Sequence, residues 1–263
     1  MAINLKIWDV EDPIFWKEKG SKIALRNILI SIPALLLAFA VWIMWGIIIT
    51  KMKEFGYNFG MLEGISDSLR ASRLKEINSL YYTLPAIAGL AGATLRIPNS
   101  FLISIAGGRN VIFVTTTLLL VPVIGVSLAL RDLNTPYMVF AGMALLSGFG
   151  GGNFASSMSN ISYFFPKRVQ GTSLGFNAGI GNLGVGVMQK TIPWIVGLTL
   201  FSAIGPDGGL ISSGAHAGIQ NAGWIWVPVL VICSFAAFFG MNNVITGTPK
   251  LPSTIQGVSK TLY

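Results

Sequence analysis

The chain has 263 residues, of which 52% are hydrophobic and only 11% are charged, and its net charge is +8. A soluble domain has about a quarter of its residues charged, so this composition and a mean hydropathy of +0.67 indicate a polytopic membrane protein. The basic residues are spread over tails and loops, which argues against a nucleic-acid partner, and a lone cysteine (Cys233) excludes a disulfide framework or thiolate metal site.

The amino-terminal segment is charged and aromatic, with the sequence KIWDVEDPIFWKEKGSK at 6–22. It has neither the short apolar core nor the small-residue cleavage site of a signal peptide. We therefore predict a cytoplasmic tail over 1–25, with an interfacial stretch between Ile7 and Trp16.

Apolar runs then follow one another, each long enough to cross a hydrocarbon core of about 30 Å at about 1.5 Å per residue. No alternating strand pattern competes, so we predict an all-α membrane protein with a six-transmembrane-helix bundle over 26–247 and a cytoplasmic tail over 248–263. The predicted spans are 26–50, 79–106, 110–130, 135–165, 170–204 and 223–247. Several aromatic residues near predicted span ends are typical of interfacial belts: Trp42, Trp45, Tyr81, Tyr82, Trp224 and Trp226.

Lysine and arginine set the predicted orientation. With the amino terminus inside, more of them fall in cytoplasmic than in outer segments, which predicts that both termini are cytoplasmic. The first outer loop, 51–78, is itself basic, and its stretch GMLEGISDSLRASRLKEINSL has apolar residues near helical spacing. This pattern predicts a short surface helix within the loop.

The second span contains Arg96, in the run SLYYTLPAIAGLAGATLRIPNSFLISIAGG. A guanidinium stays protonated because its pKa exceeds about 12. None of the acidic residues lies in a predicted span to pair with it. An unpaired cation at membrane depth indicates a site for an anion.

Spans four and five combine glycine with polar residues, in GFGGGNFASSMSN and GTSLGFNAGIGNLGVG. At about 100° per residue, the polar residues of span four share one face. They are Asn153, Ser156, Ser157 and Asn160. Span five has two small or polar faces: Ser173, Asn177, Gly181 and Gly184 on one, and Asn182, Gly175, Gly179 and Gly186 on the other.

These polar faces have two interpretations. The first is hydrogen bonding between helices, worth about 0.6 kcal/mol per pair on average. The second, favoured by the presence of an arginine in the same region, is a polar cavity lined by Asn153, Ser157 and Asn160. Neutral amide donors suit a small oxyanion, because they add no carboxylate that would repel it.

The glycines of span five predict close helix packing. Gly171, Gly175 and Gly179 are spaced four residues apart, which is the small-xxx-small pattern of close contacts between membrane helices. Gly181 lies within one helical turn of Gly179. Packing alone or packing beside a cavity both fit this pattern.

Two kinds of chemistry have no residues to support them in the predicted spans. No buried Asp, Glu or His is available to carry protons, so exchange of one anion for another is a simpler scheme than proton coupling. No nucleotide loop, metal set or nucleophile–base pair is recognisable, so we predict neither an enzyme nor a bound cofactor.

Three segments resemble the nitrate/nitrite porters of the major facilitator superfamily. They are TLRIPNSF around Arg96, GGR at 107–109, and GGNFASSMSNISYFFPKRVQGTSLGFNAGIGNLGVGVMQ at 151–189, which is similar to the family's nitrate signature. The resemblance implies that Arg96 contacts nitrate, that Phe154 places a ring against it, and that Asn177 and Asn182 are the signature asparagines. The family usually has paired glycines after the first asparagine, whereas this chain has Ala178 and Gly179.

The resemblance also implies an architecture. Carriers of this superfamily have two six-helix halves with the substrate between them, and the six predicted spans correspond to the N-terminal half. We therefore expect a nitrate/nitrite antiporter of the bacterial inner membrane, serving nitrate assimilation by alternating access. It would need a second six-helix half, as a separate chain or a second copy, and would not transport alone. The alternatives are an oligomeric anion channel and a non-transporting or truncated membrane subunit.

Overall fold

The computed structural model describes residues 4–5, 8–198 and 218–244, which form a helical bundle with one short pair of strands. The predicted ends of spans five and six at 199–204 and 245–247, and the predicted tail at 248–263, lie outside the described residues. The helices are α1 (Pro13–Phe15), α2 (Ser21–Ile43), α3 (Trp45–Phe55), α4 (Asp67–Ala106), α5 (Gly108–Leu118), α6 (Leu120–Ala129), α7 (Tyr137–Phe164), α8 (Lys167–Val196), α9 (Asn221–Trp224) and α10 (Trp226–Gly240).

The helix that contains the first predicted span begins before residue 26. A π-helical turn, Trp16–Gly20, joins α1 to α2, and the helical run extends over Pro13–Phe55. The side chain of Asp12 accepts a hydrogen bond from the Ile14 N–H, and Pro13 occupies the first helical position. This capping geometry starts a helix within the segment predicted as a tail.

The second span also extends beyond its predicted start. α4 has 40 residues, so the short surface helix predicted in the first outer loop is the exposed beginning of α4 and not a separate element. α3 ends at Gly56, whose φ of +77° is the left-handed conformation that closes a helix and favours glycine.

Two spans are interrupted a few residues before a proline. α5 and α6 meet at Leu119, ahead of Pro122, and α9 and α10 meet at Ile225, ahead of Pro228. Proline has no N–H to donate to the carbonyl four residues earlier, so the helix changes course at that point. Each pair still acts as one span, over Gly108–Ala129 and Asn221–Gly240.

Within the part of the chain that the structure describes, 5 helical runs are long and apolar enough to cross a membrane. They are Pro13–Phe55, Asp67–Ala106, Gly108–Ala129, Tyr137–Phe164 and Asn221–Gly240. The remaining long helix, α8, has 30 residues, or about 45 Å, but it carries three basic residues and several amides. The predicted six-helix bundle is confirmed, with α8 as a long but more polar member.

The core is centred on α2 and α7. α7 packs against α4 and α2, α2 also packs against α8 and α10, and α10 lies against α5. Trp45 is fully buried, and its Nε1–H donates to Ser147 Oγ at 2.9 Å. Tyr81 and Trp226 are buried too, so the predicted aromatic belt is wrong for these three. The first and second spans extend past Trp45 and Tyr81, which places these side chains inside the bundle.

The two described chain ends meet at one end of the bundle. Strand β1 (Asn4–Leu5) pairs in parallel with β2 (Asn243–Val244), and we call this the strand end. Asn243 Oδ1 accepts the backbone N–H of Arg109 at 3.0 Å, and Arg109 Nε–H donates to the carbonyl of Phe238. The loop after α4 and the end of α10 are therefore joined at the strand end.

The opposite end is closed by tyrosines. The hydroxyl of Tyr57 donates to the carbonyl of Leu130, and that of Tyr81 donates to the carbonyl of Tyr57. Burial raises the pKa of Tyr57, in the loop after α3, above its ordinary value. Its phenol therefore stays protonated at neutral pH and keeps its donor role.

Candidate anion-binding site

Arg96 lies at mid-depth in the bundle. Its Nε–H donates to the carbonyl of Gly151 at 3.2 Å, and Gly151 is near the midpoint of the 28-residue α7. The side chain is half-buried between α4 and α7. A permanent positive charge therefore sits far from both ends of the bundle.

Aromatic rings surround the guanidinium. Arg96 Cζ is 5.3 Å from the ring centre of Trp42 and 5.2 Å from that of Phe154. The ring of Phe39 lies 5.8 Å from Trp42 and 5.9 Å from Phe154, and we call these three residues the aromatic cradle. Aromatic faces attract a guanidinium but do not neutralise it, so the cradle leaves the charge for a ligand.

No carboxylate compensates this charge within the described residues. The ion pairs there are Lys51–Glu54 and Arg73–Glu76, both well outside the site and solvent-exposed. In the same part of the chain, the bond to Gly151 is the hydrogen bond that Arg96 makes, and it uses Nε alone. The two terminal nitrogens therefore have donors that make no hydrogen bond within the described chain.

Asn177 belongs to a buried polar chain across three helices. Its Nδ2 donates to Ser157 Oγ at 2.8 Å, and Ser157 Oγ lies 2.8 Å from Ser31 Oγ. The side chain is 0% exposed, and its Oδ1 has no partner among the described residues. No hydrogen bond or ring contact within the described chain joins Asn177 to Arg96, so the structure does not bring these two side chains together directly.

Asn182 faces outward from α8. It is exposed, and its Nδ2 donates to the carbonyl of Ala178 on the same helix at 2.8 Å. The two-faced character predicted for span five is thus present. Asn177 lies on the face towards α2 and α7, and Asn182 lies on the open face.

The glycines of α8 divide in the same way. A Cβ added at Gly181 would stand 2.6 Å from Leu35 Cδ2, so that glycine lies at a close helix contact. At Gly171, Gly175 and Gly179 nothing in the described chain lies within 4 Å of an added Cβ. Gly175 and Gly179 border an open groove of about 350 Å³, and the packing predicted for all three glycines has no partner among the described residues.

The polar residues of α7 are placed at different depths. Asn153 is buried next to Phe154, close to Arg96 in height, and Ser157 belongs to the buried chain with Asn177. Asn160 lies nine residues, or about 14 Å, beyond Gly151, where its Oδ1 would be 1.7 Å from a Cβ at Gly108. Asn160 therefore packs against α5 near the strand end.

Two residues close to Arg96, Trp42 and Asn99, were not among the site residues predicted from the sequence. Trp42 was assigned to an interfacial belt, but it contacts the guanidinium. Asn99 is 4% exposed, packs on Gly152, and has no partner for its Nδ2 in the described residues. Asn99 follows Arg96 by three residues and so lies on the same face of α4, and this spacing could have identified it from the sequence.

These features are those of an integral membrane protein whose helical bundle holds a cation at mid-depth, with no carboxylate partner among the residues that the structure describes. The family model described as Major Facilitator Superfamily matches residues 10–189, and the chain belongs to this superfamily.

Curated relatives carry names that refer to nitrate and nitrite. The chain is 41% identical over 240 residues to "Nitrate/nitrite transporter NarU" of Escherichia coli (strain K12), a match covering 91% of this chain and 48% of the relative. It is 35% identical over 241 residues to "Probable nitrate/nitrite antiporter NarK2" of Thermus thermophilus, covering 90% of this chain and 50% of the relative. The chain thus spans about half the length of these relatives.

Proposed function

We propose that this chain is the N-terminal half of a nitrate/nitrite carrier that exchanges one anion for the other by alternating access. The observation that carries the proposal is the guanidinium of Arg96, held at mid-depth with no carboxylate partner in the described chain and with its terminal nitrogens unbonded there. The names of the relatives, which are nitrate/nitrite transporters and a probable antiporter, support the choice of substrate.

In this proposal Arg96 supplies charge and a planar pair of donors for a planar oxyanion. Phe154 places a ring beside the guanidinium, where its positive edge can face the anion. Asn153 adds polar surface at the same height. Asn177 supports the site through Ser157, while Asn182 on the open face of α8 contributes once that face is covered.

The second six-helix half would cover the open face of α8. That face exposes Phe176 and Leu183 beside the glycines of the groove, at 59% each. The second half would also enclose Arg96, whether it is a separate chain or a second copy. Membrane orientation follows from the distribution of lysine and arginine, with both termini on the cytoplasmic side of a bacterial inner membrane.

The test is counterflow in proteoliposomes that contain this chain assembled with a second half. We expect nitrite uptake to require nitrate inside the vesicles, because the binding site of an exchanger turns back to the outside only when it holds an anion. Flux without any internal counter-anion would instead identify an anion channel, and no flux in the assembled protein would identify a non-transporting subunit.

The variant Arg96→Lys keeps the charge but loses the planar fork, and exchange should fall by about tenfold or more. The exposed Arg131→Lys is the matched control and should exchange as the unmodified protein does. Unchanged exchange by Arg96→Lys would refute the assignment.

A further inference from the structure

Trp42 sits in a slot between two helices. A Cβ at Gly92 of α4 would stand 2.4 Å from Trp42 Nε1, and a Cβ at Gly151 of α7 would stand 2.6 Å from Trp42 Cε2. Real Cβ atoms do not approach so closely, so the indole fits there because both neighbours are glycine. The slot fixes the height and tilt of the ring.

The polar atom of Trp42 is also fixed. Its Nε1–H donates to the carbonyl of Ala88 at 2.7 Å, one turn before Gly92 on α4. An indole N–H that is partly withdrawn from water needs a partner, and this bond selects one orientation of the ring within the slot. Trp42 is therefore held by α4, the helix that carries Arg96, although it belongs to α2.

The fixed indole faces the guanidinium. Its ring centre is 5.3 Å from Arg96 Cζ, and Gly151, which forms one wall of the slot, is also the residue whose carbonyl accepts from Arg96 Nε. The ring of Trp42 and the carbonyl of Gly151, which lie next to each other, thus both contact Arg96. Together they fix the plane of a side chain that would otherwise have many rotamers.

We propose that Trp42 is a positioning residue for the anion site, which holds the Arg96 guanidinium with Nε on Gly151 and its terminal nitrogens directed to the ligand. This inference rests on the proposed function, because it takes Arg96 as the anion-binding group. It assigns to Trp42 no contact with the anion. A fixed guanidinium binds more tightly because no rotamer freedom is lost when the anion arrives.

The variants that test it come in matched pairs. Trp42→Leu removes the ring, and Trp42→Phe keeps a ring but loses the bond to Ala88. Gly92→Ala pushes the indole out of its slot, whereas Gly89→Ala, on the same helix, meets nothing within 4 Å and is the control. If Trp42→Leu does not fold, Trp42→Phe and Gly92→Ala against Gly89→Ala carry the comparison.

The first readout does not depend on transport. In the chain labelled with ¹⁵N-arginine and embedded in nanodiscs, the Nε–H signal of Arg96 is assigned by its loss in Arg96→Lys. Its exchange with water should rise by about tenfold in Trp42→Leu and in Gly92→Ala, because the bond to Gly151 is no longer held. Trp42→Phe should be intermediate, and Gly89→Ala should match the unmodified chain.

The second readout is nitrate affinity of the chain assembled with a second half. Trp42→Leu should weaken nitrate binding by about tenfold, and it should have no further effect in an Arg96→Gln background. The proposal is overturned if Trp42→Leu leaves either readout unchanged, or if it weakens binding equally with and without Arg96. If the unmodified assembly binds no nitrate, the proposed function fails, and the exchange of the Nε–H still shows whether Trp42 holds Arg96.

Discussion

At the scale of single residues, the proposed anion site depends on Arg96 having no carboxylate beside it in the described chain. A carboxylate beside it would neutralise the charge and compete with any anion, whereas the rings of Trp42 and Phe154 stabilise the cation without occupying its terminal donors. In the proposed site, a neutral aromatic cradle would therefore let a half-buried cation persist and still bind an anion. The hydrogen bond to Gly151 uses Nε, so in the described chain the two terminal nitrogens are left as the pair for an end-on bidentate contact.

The two signature asparagines should respond differently to alanine. Asn177→Ala removes a buried bond between α8 and α7 and should lower the stability of the bundle by about 1 kcal/mol. Asn182→Ala removes only a bond within α8 at an exposed position and should leave stability unchanged. Thermal unfolding in detergent measures both. Equal effects of the two substitutions would contradict the placement of the two faces of α8.

The unpaired charge of Arg96 could be predicted from the sequence, because every acidic residue lies outside the predicted spans. The partners of Arg96 could not. Trp42 belongs to a different span, and its contact depends on how closely α2, α4 and α7 approach one another at Gly92 and Gly151. A tryptophan near a predicted span end has the same local pattern whether it faces lipid headgroups or a guanidinium.

At the scale of helices, α8 is a wedge with one packed face and one open face. On the packed face, Gly181 and Gly184 let α2 approach so closely that a Cβ at Gly184 would stand 2.0 Å from the carbonyl oxygen of Leu36. On the open face, Gly175, Gly179 and Gly186 meet nothing within 4 Å in the described chain. The helical period of the sequence predicted this division, but not which face is covered.

The division predicts opposite outcomes for two neighbouring glycines. Gly184→Ala should destabilise the bundle by about 1–3 kcal/mol, because backbone of α2 would have to move away from α8. Gly186→Ala should leave the stability of the chain alone unchanged or slightly higher, since alanine is a better helix former than glycine. Chemical denaturation in mixed micelles compares the two. A stable Gly184→Ala would show that α2 and α8 are not so tightly packed.

Helix boundaries were harder to predict than helices. The apolar run of the first span predicted a start at residue 26, but the cap at Asp12 and Pro13 begins the helix earlier, through residues too polar for a hydropathy window. The exposed first turns of α4 were predicted as a separate surface helix for the same reason. Local capping and helix continuation set these ends, and neither depends on hydropathy.

At the scale of the whole molecule, the bundle has the features of a half-site. Arg96 is half-buried at mid-depth, and the outward faces of α4 and α8 expose large apolar side chains such as Leu90, Ile97 and Phe176. Lipid covers such side chains at little cost, but it does not solvate a guanidinium. A second half that encloses Arg96 would complete both the surface and the site.

If Arg96 is the group that holds the anion, nitrate binding by the chain assembled with a second half must depend on its guanidinium. Isothermal titration with nitrate should give saturable binding that Arg96→Gln weakens by about tenfold or more and that the exposed Arg131→Gln leaves intact, with each protein unfolding at the same temperature in the absence of nitrate. If Arg96→Gln binds nitrate with the affinity of the unmodified assembly, Arg96 is not the group that holds the anion.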